Sequence, residues 1–193
     1  MDLTNNIERE NAMVNKMKWF DRTFSFNHPL DLYPNTVERL RGTPARLEER
    51  VRKLRTELLT GKDGVSWSIQ ENVGHVYDLE SLWATRLDEF LDGAHLLSAA
   101  DLQNKKTHEA NHNASSIRKI LKQFRDAREL LVSRLDQLSL EEVSRTAMHP
   151  RLAQSMNVMD FAFFIAEHDD HHLARISVLM NTHFQAHTMH SSH

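Results

Sequence analysis

Apolar residues recur every three or four positions along most of this chain, which is the spacing of helices that bury one face. The first stripe is predicted to start with Thr43 as N-cap and Pro44 as the first helical residue, and Gly61 is expected to end it. Its apolar positions are Leu47, Val51, Leu54 and Leu58. This one-sided stripe predicts a long helix packed against other elements.

A second helix is predicted to open at Ser68, because Ser68 and Glu71 have the spacing of a capping box. The helix should stop near Gly93. Its apolar positions are Ile69, Val73, Val76, Leu79, Leu82, Trp83, Leu87, Phe90 and Leu91. His75 lies at the edge of this apolar arc, which places a titratable group beside the predicted core.

A third long helix is expected over residues 108–138, after a polar connection over residues 92–107. One of its faces is apolar, and the other carries Lys and Arg with some acidic residues. Ser139 and Glu142 repeat the capping-box pattern, which predicts a short helix that ends before His149.

A loop is predicted over residues 149–156, followed by the fourth long helix from about Asn157 to Met180. Five Gly and four Pro are few for 193 residues, which also favours helices over strands. Four long amphipathic helices predict an all-α fold, a four-helix bundle in which two connections are long enough to cross over. The predicted parts of the chain are a lead-in segment over residues 1–34, a single bundle domain over 35–182 and a polar tail over 183–193.

The lead-in contains a cluster of aromatic residues between Trp19 and Phe26. Its alternating Phe residues could form a short strand. The simpler interpretation is a segment that lays aromatic side chains on the body of the domain or on a second subunit.

Composition and charge narrow the possible functions. The net charge of −3 gives no basic surface for nucleic acid. The chain has no Cys, so any bound metal must be held by His, Asp or Glu. The polar N-terminus lacks an apolar signal core, and no apolar run approaches the roughly 20 residues that span a bilayer. We therefore expect a cytoplasmic protein with no membrane or nucleic-acid partner.

The chain has 13 His, and three pairs of them have the spacing His-x-x-x-His, which stacks two imidazoles on one helix face. The pairs are His108/His112, His168/His172 and His183/His187. The first falls opposite the apolar stripe and should face solvent, and the last lies where the apolar sequence has run out. The middle pair falls among apolar residues and should point into the core. Periodicity leaves open whether it binds a divalent metal or forms two hydrogen-bonded core histidines.

Two ligands rarely hold a metal firmly, so a third is needed. His75 is the best candidate because it lies inside a long helix beside an apolar arc. His149, in the predicted loop, is the weaker alternative. His171 is turned by about 100° from its neighbour His172 on a helix, so it is interpreted as a residue at the mouth of the site.

Four charged residues lie near these histidines in the sequence. Glu71 could orient His75 from one turn away, although its place in the capping box is the preferred interpretation. Asp169 and Asp170 are predicted to be exposed helix acids. Arg175 could face the site or a carboxylate.

The chain resembles the DinB-like superfamily of metal-dependent enzymes, which includes bacillithiol transferases and the mycothiol-dependent maleylpyruvate isomerase. The matching segments occur in family order over about residues 19–180. They are ERLRGTPARL at residues 38–47, WSIQENVGH at 67–75, HPRL at 149–152 and EHDDHH at 167–172.

This resemblance implies a four-helix bundle, commonly a homodimer, with a three-histidine metal site made by His75, His168 and His172. Imidazole-only sites suit Zn or Ni. The resemblance further implies a thiol-dependent transferase that activates a low-molecular-weight thiol cosubstrate for transfer to a small electrophile. Metal-dependent hydrolysis, metal or small-molecule binding without turnover, and a structural dimer with histidines in its core are the alternatives.

Overall fold

The structure is a computed structural model that describes residues 17–62 and 64–190, with side chains described as far as residue 182. Residues 1–16 of the predicted lead-in, and the side chains of the predicted tail at 183–193, lie outside the described part. His183 and His187 therefore keep only their sequence-based interpretation. None of the described helices has an apolar stretch long enough to cross a bilayer.

The fold is mainly helical, as predicted, with a small hairpin between the last two helices. The helices are α1 (Tyr33–Val51), α2 (Thr56–Thr60), α3 (Ile69–Asp78), α4 (Glu80–Leu91), α5 (Lys105–Glu109), α6 (Ile117–Leu135), α7 (Leu140–Val143) and α8 (Val158–His190). The strands β1 (Thr146–His149) and β2 (Gln154–Asn157) pair antiparallel. Short 3-10 turns lie at Trp19–Asp21, Leu30–Leu32 and His112–Ala114.

The prediction for the first helix was wrong at both ends, since α1 starts at Tyr33 and stops at Val51. Pro34, in the first turn of α1, is the proline that suits a helix start, because the N–H it lacks would have had no helical acceptor. The apolar spacing that seemed to continue to Gly61 belongs to the separate helix α2.

Pro44 lies inside α1, although it was predicted to open a helix. A proline there cannot donate to the carbonyl four residues earlier, which belongs to Leu40. That carbonyl instead accepts a hydrogen bond from Arg128 Nη1 at 3.3 Å. A buried side chain from α6 thus replaces the backbone donor that Pro44 removes.

Both predicted capping boxes are present, at Ser68 with Glu71 and at Ser139 with Glu142. The second long helix is divided into α3 and α4 at Leu79 and is followed by Gly93 at a φ of 74°. The third begins only at Ile117, because the preceding residues form α5 and a 3-10 turn.

The predicted loop over 149–156 is instead the turn and second strand of the β1–β2 hairpin. Ala153 closes the turn with a φ of 50°, and the backbone then pairs from Gln154 onward. The alternating Phe residues of the lead-in form no strand, and Phe24 packs into the core beside Trp19.

In the bundle, α1 packs against α6 and α8, and the divided helix α3–α4 packs against the same two helices. Consecutive long helices α1 and α3–α4 therefore lie diagonally across the bundle. This order requires the long connections that the sequence predicted.

The core consists of two apolar clusters with a polar layer between them. Each long helix contributes polar residues to this layer, at about the same level along the bundle axis. They are Thr43 from α1, Asp78 and Glu80 beside Leu79, Arg128 from α6, and the segment 167–172 from α8. The histidines of interest lie in this layer.

Candidate metal centre

His75, His168 and His172 come together where α3 faces α8. One nitrogen from each imidazole can be chosen so that all three lie within 4.8 Å of one another. The three side chains are buried, with exposed fractions of 5%, 5% and 7%. The structure thus brings together the two histidines that helical phase selected and the third that was expected from α3.

Asn72 orients His172, a role that the sequence analysis missed. The Asn72 amide nitrogen donates to the Ser68 carbonyl at 2.8 Å, so its oxygen Oδ1 faces His172 Nδ1 at 2.9 Å. An amide oxygen can only accept, which assigns the proton to Nδ1 and the lone pair, which a metal would use, to Nε2.

His75 has a similar partner in Thr107, whose hydroxyl oxygen lies 3.0 Å from Nδ1. Burial lowers the pKa of His75 to about 4, and the nearby His112 and His108 act in the same direction while Asp78 opposes them. The imidazole is therefore neutral near pH 7, as a metal ligand must be.

All three tryptophans of the chain surround these imidazoles. The ring centroids of Trp67 and His75 are 4.6 Å apart, and those of Trp19 and His168 are 5.0 Å apart. Trp83 contacts His168 from the side of α4 at 5.9 Å. These large rings limit access of water to the three nitrogens and lower the local dielectric constant.

The three histidines open onto a cavity of about 700 Å³, whose volume suits a small organic molecule. The residues that line it also include Asn72, Arg86, His149, His171 and Arg175. His171 is half-buried, with its ring 5.5 Å from Trp19, which agrees with its predicted place beside the site. Arg175 lines the cavity as well, so of its two predicted positions it occupies the one that faces the site.

His149, the weaker candidate for the third ligand, lines the same cavity but does not belong to the three-histidine cluster. Its Nδ1 accepts hydrogen bonds from the backbone N–H groups of Arg151 and Leu152 at 3.3 and 3.2 Å. Glu71 does not reach His75 by any hydrogen bond found among the described residues. Its carboxylate accepts from the Ser68 backbone, as the capping-box reading predicted.

Asp169 and Asp170 are not exposed acids, so that prediction was wrong. Asp169 is 1% exposed, and it accepts from Thr43 at 2.8 Å and from Arg128 Nη1 at 2.5 Å. Asp170 is half-buried between Arg39 and Arg46. These ion pairs anchor the turn of α8 that carries His168 and His172.

Arg128 is the centre of the buried ion cluster and also pairs with Glu80 at 2.6 Å. Although burial alone would lower its pKa, Asp169 and Glu80 hold the pKa of Arg128 above its usual value. The sequence predicts the basic residues of α6 on the face other than the apolar one, because sequence alone does not distinguish a buried arginine from an exposed one.

The prediction that His108 and His112 face solvent holds for His108 only. His112 is 6% exposed, and its Nε2 lies 2.8 Å from Asp78 Oδ2. The predicted helical phase does not apply here, because Asn111 has a φ of 46° and breaks the helix between the two histidines.

The donor set fits a divalent transition metal by its chemistry. Three buried imidazoles, two with an Nδ1 hydrogen bond to a neutral oxygen, are ligands that suit Zn, Ni and similar ions. Three protein ligands also leave a coordination position free for a substrate.

Comparisons with known proteins agree with this architecture. The family model described as the DinB superfamily matches residues 39–176. The solved structure of YfiT from Bacillus subtilis, described as "a probable metal-dependent hydrolase with an unusual four-helix bundle topology", aligns with a TM-score of 0.73. The alignment covers 83% of this chain and 93% of YfiT at 15% identity, which shows a shared fold. No curated protein matches the sequence.

Proposed function

We propose that this chain, which belongs to the DinB superfamily, is an enzyme that uses a divalent transition metal held by His75, His168 and His172. The convergence of these three buried imidazoles on one cavity is the observation that carries the proposal. Zn and Ni are the ions that the ligand set favours. The substrate is a small molecule, because the cavity is closed by aromatic rings on several sides.

When bound, the ion would polarise a nucleophile, either a thiol or water, and lower its pKa. The protein orients the ligands and limits the access of water. Asn72 and Thr107 hold two imidazoles with their Nδ1 atoms turned away from the ion. The rings of Trp19, Trp67 and Trp83 exclude water from the reacting atoms.

Transfer of a thiol to a small electrophile is the reaction we favour. Many metal-dependent hydrolases, metalloproteases among them, use a carboxylate as the base that takes a proton from the attacking water. Among the described residues that line the cavity, the only carboxylate is that of Asp101. Backbone N–H groups of Lys105 and Gln103 donate to it and lower its pKa, which makes it a poor base. A thiol that coordinates a divalent ion would release its proton to solvent, so it would need no such base.

Metal-dependent hydrolysis is the second candidate, and the description of YfiT as a probable hydrolase on the same fold supports it. Both reactions use the same three histidines, and they differ in the nucleophile. A turnover assay with and without thiol therefore separates them.

The test is a turnover assay of metal-loaded protein with low-molecular-weight thiols and small electrophiles, and with esters and amides in the absence of thiol. We expect thiol consumption that stops after metal removal and returns when Zn or Ni is restored. His75→Ala should lose this activity, while the matched exposed variant His95→Ala should keep it.

Each other outcome has a definite meaning. Ester or amide cleavage without thiol would replace the transferase by a hydrolase. Stoichiometric metal without turnover on any substrate would indicate a binding protein. Absence of bound metal would indicate that the three histidines are core residues without a metal-binding role.

We also propose that the protein is a homodimer and lies in the cytoplasm. It is supported by the family resemblance and by the aromatic segment that flanks the cavity, where Phe20 is 53% exposed. Light scattering at micromolar concentration should give twice the mass of the 22.5 kDa chain, and the monomer mass would contradict the dimer.

A further inference from the structure

Several buried hydrogen-bond donors beside the three-histidine cluster lack an acceptor among the described residues. These atoms are Trp83 Nε1, His149 Nε2 and one terminal nitrogen, Nη2, of Arg151. Buried polar atoms are rarely left in this state, because each loses its hydrogen bonds to water without replacement. All three residues line the cavity that the histidines face.

The hydrogen bonds of His149 define which of its nitrogens is a donor. Two backbone N–H groups, from Arg151 and Leu152, point at Nδ1, so Nδ1 carries the lone pair. The proton of the neutral ring is then on Nε2, at the opposite side of the imidazole. Since His149 is 3% exposed, this N–H is a buried donor that a ligand could satisfy.

Two arginines beside His149 add positive charge without a paired carboxylate. Arg86 is 1% exposed, and its Nε and Nη2 donate to the Ser98 carbonyl, which is neutral. Among the described residues, no carboxylate oxygen lies within 4.0 Å of Arg86 or Arg151. The nearby Glu89 acts on Arg86 from farther away, and its own carboxylate accepts from the Ser98 backbone and hydroxyl.

These groups also shift one another's pKa values. Burial lowers the pKa of Arg86 to about 10; Glu89 opposes this, and repulsion from Arg151 adds to it. Burial also lowers the pKa of His149 to about 4, and both arginines contribute. Two cations that have no carboxylate within 4.0 Å among the described residues, placed around a neutral donor, attract an anion.

The same residues are adjacent to the candidate metal centre. The guanidinium carbon of Arg86 lies 5.5 Å from the centroid of the Trp83 ring. The centroid of that ring lies 5.9 Å from the centroid of the His168 ring. A molecule of modest length in the cavity can therefore reach the histidines at one end and the arginines at the other.

We infer that Arg86, His149 and Arg151, with the indole N–H of Trp83, form a subsite for a carboxylate of the substrate. This inference rests on the proposed function, since it assigns the reacting end of the same molecule to the three histidines. The acid anchors the substrate through charge-assisted hydrogen bonds and leaves the remainder of the molecule facing the metal centre.

An organic carboxylate fits better than a free inorganic anion because the rest of the cavity wall is largely apolar. Trp19, Phe20, Leu79, Leu102 and Phe164 line it. The planar guanidinium of an arginine also matches the two coplanar oxygens of a carboxylate.

The test compares phenylacetate with phenylacetamide, which have the same shape but differ in charge. Binding is followed by the fluorescence of the three tryptophans around the cavity, first with the protein as purified and then after metal removal. We expect the acid to bind roughly tenfold or more tightly than the amide, as for a charged hydrogen bond, in both states. Inorganic phosphate should compete poorly.

Arg151→Gln should reduce this preference to about threefold or less, because its terminal nitrogen is one of the donors without an acceptor. Arg86→Gln should do the same where it folds, and Arg151 is the safer variant because its side chain is only half-buried. The matched control is Arg118→Gln, which removes an exposed arginine from α6 and should leave the preference unchanged.

The outcomes separate this subsite from the metal centre. A carboxylate preference that persists in Arg151→Gln and disappears with the metal would overturn the subsite, since the acid would then bind the ion. Equal binding of acid and amide, or strong competition by phosphate, would also overturn it. Lack of metal in the purified protein would contradict the proposed function, while the fluorescence comparison would still decide the subsite.

Discussion

The hydrogen bond between Asn72 and His172 determines which ring nitrogen of that histidine carries the proton. The Asn72 amide is fixed by its donation to the Ser68 carbonyl, so its oxygen must accept from Nδ1. Residues that orient a ligand in this way affect metal affinity although they do not touch the metal.

Asn72→Ala should therefore weaken metal binding by about 10- to 100-fold while leaving all three histidines in place. Competition with a chromophoric chelator measures this directly. Asn35→Ala, at an exposed position of α1, is the matched control and should bind as the unaltered protein does. Equal affinities of the two variants would contradict the orienting role.

The lowered pKa of His149 gives a pH dependence of stability. Its pKa of about 4 in the folded protein, caused first by burial and then by Arg86 and Arg151, lies below the ordinary value of 6.5. Between these two pH values the unfolded chain binds a proton that the folded chain does not, so stability falls as the pH is lowered from 6.5 to 4.

Urea denaturation of the metal-free protein should show a smaller loss of stability over this range in His149→Gln than in the unaltered chain. His75 is present in both proteins, so the difference reports on His149. The same pH dependence in both would show that His149 is protonated in the folded state as readily as in the unfolded chain.

The elements of the fold meet closely at Gly74 in α3. A Cβ atom there would lie 2.3 Å from ring atoms of His112, which is buried and hydrogen-bonded to Asp78. Gly42, inside α1, has no atom within 4 Å of the same position. The two helical glycines therefore differ in purpose, since only Gly74 permits a close contact between elements.

Gly74→Ala should lower the free energy of unfolding by about 1–3 kcal/mol, because the His112 ring must move. Gly42→Ala should raise it by about 0.5–1 kcal/mol through helix propensity alone. Chemical denaturation of both variants gives the comparison. Similar stabilities would indicate that His112 moves at little cost.

The ion cluster around Arg128 joins three of the long helices through Glu80 on α4 and Asp169 on α8. Both carboxylates are at most 5% exposed. Removal of the arginine would leave two buried anions without their cation, which costs more than the loss of the pair itself.

Arg128→Met should lower the stability by about 3–5 kcal/mol, and adding Glu80→Gln and Asp169→Asn should restore much of it. Arg134→Met breaks the exposed pair with Asp88 and should cost less than about 1 kcal/mol. A small effect of Arg128→Met alone would mean that water reaches the two carboxylates.

Helical periodicity predicted the long helices and the phases of His75, His168 and His172, because those properties depend on which positions are apolar. It did not predict features that depend on polar contacts between helices. The sequence predicts a helix start at Pro44, because it does not show that Arg128 from another helix donates to the carbonyl that Pro44 leaves without a backbone donor. The sequence likewise predicts an exposed Asp169, because it does not show that Arg128 pairs with this carboxylate in the core.

In the whole molecule, the polar layer divides the core of the bundle and contains both the ion cluster and the three histidines. The ion cluster includes Asp169, and His168 and His172 lie within three residues of it on α8. The ion cluster joins α4, α6 and α8, and it thereby holds the turn of α8 that carries two of the imidazoles opposite His75 on α3. Metal bound to them would in turn stabilise the folded chain, because the unfolded chain lacks the site.

The most direct test of the proposed metal centre is elemental analysis of protein purified without a metal-affinity column, together with the His75→Ala variant. We expect about one divalent transition metal ion per chain in the unaltered protein, as for one three-histidine site, and a large loss in the variant. Unaltered protein without metal, or a variant that retains a full equivalent, would contradict the assignment of His75, His168 and His172.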